Sequence, residues 1–386
     1  MIAVIADDLT GAAELAGIGV RYGLRTGIRT TTGIAAPLSV PVDLLVIAGD
    51  SRSKARKAAV EEMSGITRRL RLLRPEWVYK KTDSVLRGHV VAELSAHLQE
   101  LGLPLALLVP ANPSLGRTIR DLHYYVHDQP VHLTAFATDP EFPVTSSNVH
   151  DMLPTRELAV HVRKPTDELP ARGIVVGEVR DSNDLQRWAA RLPGEALPAG
   201  GAEFFTAVLE ARGEAAKPPT ANPPAAKPPT AKPPTATPAW EPGKPQLFVS
   251  GSTFDSSRAL IRATFDSGGP VCYMCDDWAA AVTATLRSEG KAVMAIDAAH
   301  RGHTARQLRA LTADTVAAIL QSSTPAELII EGGSTAYAIL EKQGWHSLTP
   351  EQELAPGTIR MRVTGTPGLF ITVKPGSYRW PESIRY

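Results

Sequence analysis

The chain has 386 residues, 43% hydrophobic and 21% charged, with 41 basic against 40 acidic side chains and a formal net charge of +1. Such proportions belong to a globular protein long enough for two or three cores, and the balanced charge excludes the basic footprint of a nucleic-acid or anionic-membrane binder. No cationic leader precedes an apolar segment and no apolar run is of bilayer length, which predicts a cytoplasmic protein.

In chain order, "MIAVIA" predicts a buried strand that ends on Asp7 and Asp8, followed by Thr10, Gly11 and a helix. Acids at a helix start are ordinary N-caps. At the carboxyl end of a first strand they are also where an open α/β sheet builds its ligand site. Short aliphatic runs "DLLVIA", "WVYKKT" and "LALLVP" alternate with helical patterns such as "GHVVAELSAHLQELG", which argues a mainly parallel sheet covered by helices. "LHYYVHDQPVHLT" reads as an antiparallel excursion, and "GIVVGEV" resumes the pattern.

Residues 215–245 repeat KPPT with almost nothing to bury. Proline density of that kind favours extended polyproline II, a linker rather than a core. Beyond it "QLFVSGS", "PVCYM", "KAVMAID" and "ELIIEGGST" restart the strand–helix alternation, and "TIRMRV" and "LFITVK" read as two strands around a Gly/Pro turn. The expectation is an α/β protein of two α/β lobes with mainly parallel sheets, 1–214 and 246–386. A cleft between lobes is a common ligand position, so the active site is expected there. Cys272 and Cys275 have CxxC spacing but lie at a strand end without further Cys or His; they read as small core residues rather than a redox or zinc site.

Absent motifs narrow the chemistry. There is no GxxxxGK[ST], and Gly17, Gly19 and Gly23 have the wrong spacing and place for a dinucleotide fingerprint. A DxDxT phosphatase alignment puts Ala6 where the nucleophile must be. What remains is a set of four polar clusters behind first-lobe strands: "ADDLTG", "AGDSRS", "KKTDSVLRG" and "PANPSLGRT". Parallel strands bring them to one sheet edge. They combine Arg and Lys for a carboxylate with Asp and Asn for hydroxyls, the mixture that holds a small polyhydroxy acid. The second lobe carries "SGST", "EGGST", "APGT" (with Gly357) and "KPGS" (with Gly376 and Ser377). Glycine lets backbone N–H groups approach an anion, and a following helix N-terminus adds a favourable dipole.

These motifs, "ADDLTGA", "KTDSVLRGHVVAEL", the P-A-N-P…GRT segment and C-terminal "GGST" and "KPGS", resemble the four-carbon acid sugar kinases over nearly the whole chain outside the linker. The resemblance implies an N-terminal sugar-acid-binding domain, a C-terminal nucleotide-binding domain, and ATP-dependent phosphorylation of threonate, erythronate or 3-oxo-tetronate. It places Asp7, Asp8, Thr10, Gly11, Arg52, Asp83, Ser84, Arg87, Gly116, Arg117 and Thr118 in the acid site. On the nucleotide side it points to Ser250, Ser252, Gly332, Gly333, Ser334, Thr335 and Gly376. Arg52 and Arg87, with Lys81 as a further candidate, are expected on the substrate carboxylate. Asp8 is expected as the base and Asp7 as a hydroxyl ligand, with Mg²⁺ bridging the ATP phosphates. The expected partners are the sugar acid and ATP, with a homodimer as the candidate assembly and neither nucleic acid nor membrane. The alternatives are a non-catalytic sugar-acid or nucleotide sensor and, from "ADDLTG", a phosphohydrolase.

Overall fold

The computed structural model describes residues 1–35, 41–139, 142–153, 158–213, 244–252, 254–297, 302–381 and 384. All but the last two residues of the predicted linker lie outside them. The described residues form two compact units, one up to residue 213 and one from 244.

The first unit begins with β1 (Ile2–Ala6), α1 (Leu9–Arg21), β2 (Thr26–Thr30), β3 (Leu44–Ala48), α2 (Arg56–Leu72), β4 (Trp77–Lys81), α3 (Val90–Leu101) and β5 (Leu105–Val109). A small antiparallel sheet follows, β6 (Arg117–Arg120), β7 (His123–Val126) and β8 (Gln129–Pro130). This is the antiparallel excursion expected from the sequence. The unit closes with α4 (Val149–Met152), β9 (Val160–Arg163), β10 (Gly173–Gly177), α5 (Ser182–Ala190), β11 (Ala196–Gly200) and α6 (Ala202–Ala211).

Its main sheet is parallel, in the order β2-β3-β1-β4-β11-β5-β10-β9. β1, β3, β5 and β10 are buried along their whole length, which is why they read as unbroken aliphatic runs rather than alternating ones. On one face Ala3, Ile5, Leu45 and Ile47 pack with Met63, Ile66 and Leu70 of α2 and Ala96 of α3. β2 and β3 lie to one side of β1, and β4, β11, β5, β10 and β9 to the other. β1 therefore stands at the switch of direction, and its carboxyl end is where an open α/β sheet leaves a crevice.

The second unit comprises β12 (Gln246–Ser250), α7 (Asp255–Asp266), β13 (Val271–Tyr273), α8 (Trp278–Glu289), β14 (Lys291–Ala295), α9 (Ala305–Ser322), β15 (Glu327–Glu331), α10 (Gly333–Gln343), β16 (Ser347–Ala355), β17 (Thr358–Val363) and β18 (Phe370–Lys374). Its strands run β13-β14-β12-β15-β18 in parallel, continued by β17 and β16 antiparallel. β16, which joins β17 through the turn containing Gly357, has no sequence expectation.

Cys272 is half-buried with Sγ 3.3 Å from Thr285 Oγ1, whereas Cys275 is exposed and neither forms a disulfide. The expectation of two core cysteines is thus corrected: β13 ends at Tyr273, and the chain has left the sheet by Cys275. Among the described residues no helix is long and apolar enough to cross a membrane.

Candidate active site

At the carboxyl end of β1, Asp7 and Asp8 are given different tasks by the backbone. Asp8 is the N-cap of α1: its Oδ1 accepts from the Gly11 amide at 2.8 Å and its Oδ2 from the Thr10 hydroxyl at 2.8 Å. A methyl group on Gly11 would lie 2.7 Å from Asp8 Oδ1 and 3.1 Å from Lys81 Nζ, so glycine is what lets the lysine come close to the cap. Asp7 is buried, and its Oδ2 accepts from Arg52 Nε (3.0 Å) and Nη2 (2.7 Å). Its Oδ1 is buried with no hydrogen-bond partner among the described residues.

Arg52 also brings Nη1 within 3.5 Å of Asp8 and 3.3 Å of Asp83. Asp83 in turn organises the loop after β4. Its carboxylate accepts from the amides of Val85 and Arg87, each at 3.1 Å, and takes the Nε–Nη2 edge of the Arg87 guanidinium at 3.0 and 2.7 Å. That wrap drives Leu86 to φ +64°, a region bulky residues avoid. Arg87 Nη1 reaches Asp139 at 2.7 Å. Arg117, at the start of β6 just after the Gly116 turn, donates to the Ser84 hydroxyl. Phe136 lies beside both guanidiniums, 5.2 Å from Arg87 and 5.4 Å from Arg117. Thr118 follows with a buried Oγ1 that has no hydrogen-bond partner among the described residues. Lys81 does not face solvent: it is buried, donates to the Thr82 carbonyl, and stands 3.6 Å from Glu14.

These surroundings separate the two carboxyls. Burial, aided by the Asp8 and Glu93 carboxylates, raises Asp7 above its ordinary value against the pull of Arg52 and Lys80. Burial acts on Asp8 as well, but Arg52, Lys81 and its hydrogen bonds to Thr10 and Gly11 win and hold it below the ordinary range. Asp83, though buried, is held far lower by Arg87 and Arg52.

The second unit assembles its own polar edge. β12, β15 and β18 are adjacent, and Ser250, Glu331 and Lys374 terminate them in register. Glu331 accepts from Ser250 Oγ (3.1 Å), Ser257 Oγ (2.6 Å) and Lys374 Nζ (2.6 Å). Lys374 Nζ also donates to the Pro375 and Tyr378 carbonyls, and burial pulls its ammonium down while Glu331 opposes. One buried ion pair thus ties together the "SGS", "EGGST" and "KPGSY" segments. Gly332 is the N-cap of α10, and Gly333, Ser334 and Thr335 are its first turn, so three successive amides there lack intrahelical partners. At Gly251 a methyl group would lie 2.0 Å from Thr335 Oγ1, a close approach only glycine permits. Gly376 packs against Ser252, whose Oγ its absent methyl would meet at 2.9 Å; Gly357 lies against Tyr378 in the same way. Ser377 follows Gly376 in this segment, half-buried, and Thr253 is outside the described residues.

The predicted residues therefore gather at two sheet edges, one in each unit. Sequence reasoning missed Glu14, Phe136 and Asp139, and gave no role to Glu331 and Lys374 although they open the "EGGST" and "KPGS" clusters. The available signal was that "ELIIE" and "ITVK" end on charges of opposite sign.

A model of a sugar-binding N-terminal domain matches residues 2–205, and one of a nucleotide-binding C-terminal domain matches residues 260–378. The chain is 29% identical to the D-threonate kinase of Bordetella bronchiseptica, over 98% of this chain and 94% of that protein. It is 26% identical to the 3-oxo-tetronate kinase of Cupriavidus necator over 99% and 95%. Among solved structures, a Salmonella typhimurium LT2 protein matches with TM-score 0.72 at 16% identity, covering 98% of this chain and 96% of that one. A Haemophilus influenzae protein matches with TM-score 0.66 at 21% identity, over 97% and 96%; at these identities the likeness is one of fold. With both domain models in order along one chain and the D-threonate kinase aligned end to end, the protein belongs to the four-carbon acid sugar kinase family.

Proposed function

We propose that this chain is an ATP-dependent kinase for a four-carbon sugar acid, with Asp7 rather than Asp8 as the base. The observation that carries the assignment is the buried Oδ1 of Asp7, which has no hydrogen-bond partner among the described residues while Arg52 fixes the other oxygen. Asp8 has both oxygens committed to its own helix. The raised proton affinity of Asp7 also suits a group that must accept a proton. In the reaction, Asp7 Oδ1 takes the proton of the acceptor hydroxyl as its oxygen attacks the γ-phosphorus; the bond from that phosphorus to the bridging oxygen breaks, and ADP leaves with the electron pair.

Phosphoryl transfer of this kind needs alignment and charge neutralisation more than covalent help. Arg87 and Arg117, flanked by Phe136, are the proposed seat of the substrate carboxylate, with Lys81 and Thr10 near its hydroxyls. The first turn of α10, with Ser250, Ser252 and Gly376, is proposed to hold the nucleotide phosphates. Glu331, the acid at this edge, is already engaged by Lys374 and two serines, so Mg²⁺ would be held mainly through the phosphates, where it would supply charge neutralisation.

The test is ADP release with ATP and Mg²⁺ across the stereoisomers of threonate, erythronate and 3-oxo-tetronate. Turnover with one acid and none without acceptor is expected. ATP binding with no turnover across the panel would instead make the chain a sensor.

A further inference from the structure

Lys80 and Lys81 are neighbours at the end of β4, and a strand sends consecutive side chains to opposite faces. Lys81 goes to the face of α1, near Glu14 and Asp8. Lys80 is in register with Ile5 of β1 and shares its face, against α2 and α3. There its Nζ is 2.6 Å from Glu93 and 3.6 Å from Met63 Sδ, and the pair is almost solvent-free, Lys80 at 1% exposed and Glu93 at 2%. Asp7 directly follows β1, two positions beyond Ile5, so the ion pair lies under the strand that carries the carboxyl proposed as base.

A charged pair here is a poor way to hold a core together, since apolar residues of the same volume often do as well or better. The surroundings are also incompletely satisfied. Glu93 Oε1 and His97 Nε2 have no hydrogen-bond partner among the described residues. His97 Nδ1 meets Thr67 Oγ1 at 2.7 Å, and burial, with the Lys80 charge, keeps the imidazole neutral. The expense calls for a use.

We propose that the buried Lys80–Glu93 pair sets the proton affinity of Asp7: Lys80 places a cation under the strand that carries the carboxyl, and Glu93 anchors and moderates it. The inference rests on the reading of Asp7 as base. Asp7 is bound by Arg52 from the loop after β3 and followed by Asp8 in the chain, with Asp83 behind Arg52; Lys80 of β4 and Glu93 of α3 are the further charges that act on it. Lys80 and Glu93 are thus positioning residues that act through Asp7 without touching substrate.

The experiment titrates the Asp7 carboxyl by infrared difference spectroscopy in the full chain, its band identified by its loss in Asp7→Asn. The pH profile of kcat/KM is recorded on the same variants. Glu93→Gln leaves Lys80 unopposed, and both the Asp7 midpoint and the acidic limb of kcat/KM are expected to fall by about one pH unit, roughly tenfold in proton affinity. The double variant Lys80→Met with Glu93→Leu removes both charges, and the midpoint and limb are expected to rise. Opposite signs are what a packing role cannot produce. Unchanged midpoints, or shifts in one direction for both variants, would overturn the inference. If Glu93→Gln does not fold, the double variant decides alone: a rise supports the inference and an unmoved midpoint overturns it. Midpoints that move as expected while the kcat/KM limb stays fixed would uphold the pair's action on Asp7 and remove Asp7 as the base.

Discussion

At the ends of β1, β3 and β4 the polar groups are charged side chains locked to one another, with Arg52 bound to Asp7 and Arg87 to Asp83. At the ends of β12, β15 and β18 they are largely backbone amides, brought close by glycines and braced by the Glu331–Lys374 pair. The difference follows from the ligands each edge is proposed to meet. A small acid with hydroxyls is recognised by direction and sign, which side chains supply. Phosphates are recognised by many N–H groups at once, which only closely approached backbone supplies. The first edge should therefore be vulnerable to the loss of one charge at constant volume, and the second to added volume at constant charge.

The sharpest test of that contrast is Asp7→Asn, which removes a proton acceptor and changes almost no volume. We expect kcat to fall about 10²–10⁴-fold, with ATP affinity by direct titration unchanged. In the second unit the corresponding loss of charge, Lys374→Met, acts first on stability. It leaves Glu331 buried without its cation, a situation that costs about 3–5 kcal/mol, read from the denaturant transition of that unit. Added volume is the specific lesion there. In Gly251→Ala the new methyl would meet Thr335 2.0 Å away. Overpacking of this sort costs about 1–3 kcal/mol of stability; carried into phosphate binding, a distortion of that size would raise KM for ATP about five- to 160-fold while KM for the acid holds. A rise in the acid's KM alone would erase the contrast.

How far each edge could be read from sequence follows the same division. Strands buried on both faces, such as "IAVIA" and "LALLV", announce themselves by composition, and the first-edge clusters follow them directly. β11, "ALPAG", did not, because Pro198 argues against an interior strand. It is tolerated because β11 pairs along its full length with β5 but meets β4 only at Ala199 and Gly200. β16 was hidden likewise by Pro350 and by an irregular register against β17. At the sites, what escaped was whatever depended on distant segments. Glu331 and Lys374 look like surface punctuation until strand order sets them side by side in register. Asp139 reaches Arg87 from 52 residues away. The task of Asp8 was legible only as a pair of alternatives, cap or base, because both ask for an acid at the same position.

Those alternatives can be separated at Asp8 itself, with the smallest effect of the series. Asparagine caps a helix about as well as aspartate, whereas alanine does not. If Asp8 serves chiefly as the cap seen at Gly11 and Thr10, Asp8→Asn should keep both stability and most of its turnover. Asp8→Ala should then lose about 1 kcal/mol of stability, measured as a shift of the unfolding midpoint of the first unit, with turnover falling only as far as the loosened start of α1 displaces Asp7. A loss in Asp8→Asn comparable to that of Asp7→Asn, at unchanged stability, would return the base to Asp8. It would also mean that the hydrogen bonds from Thr10 and Gly11 tune a reacting carboxylate rather than merely close a helix end.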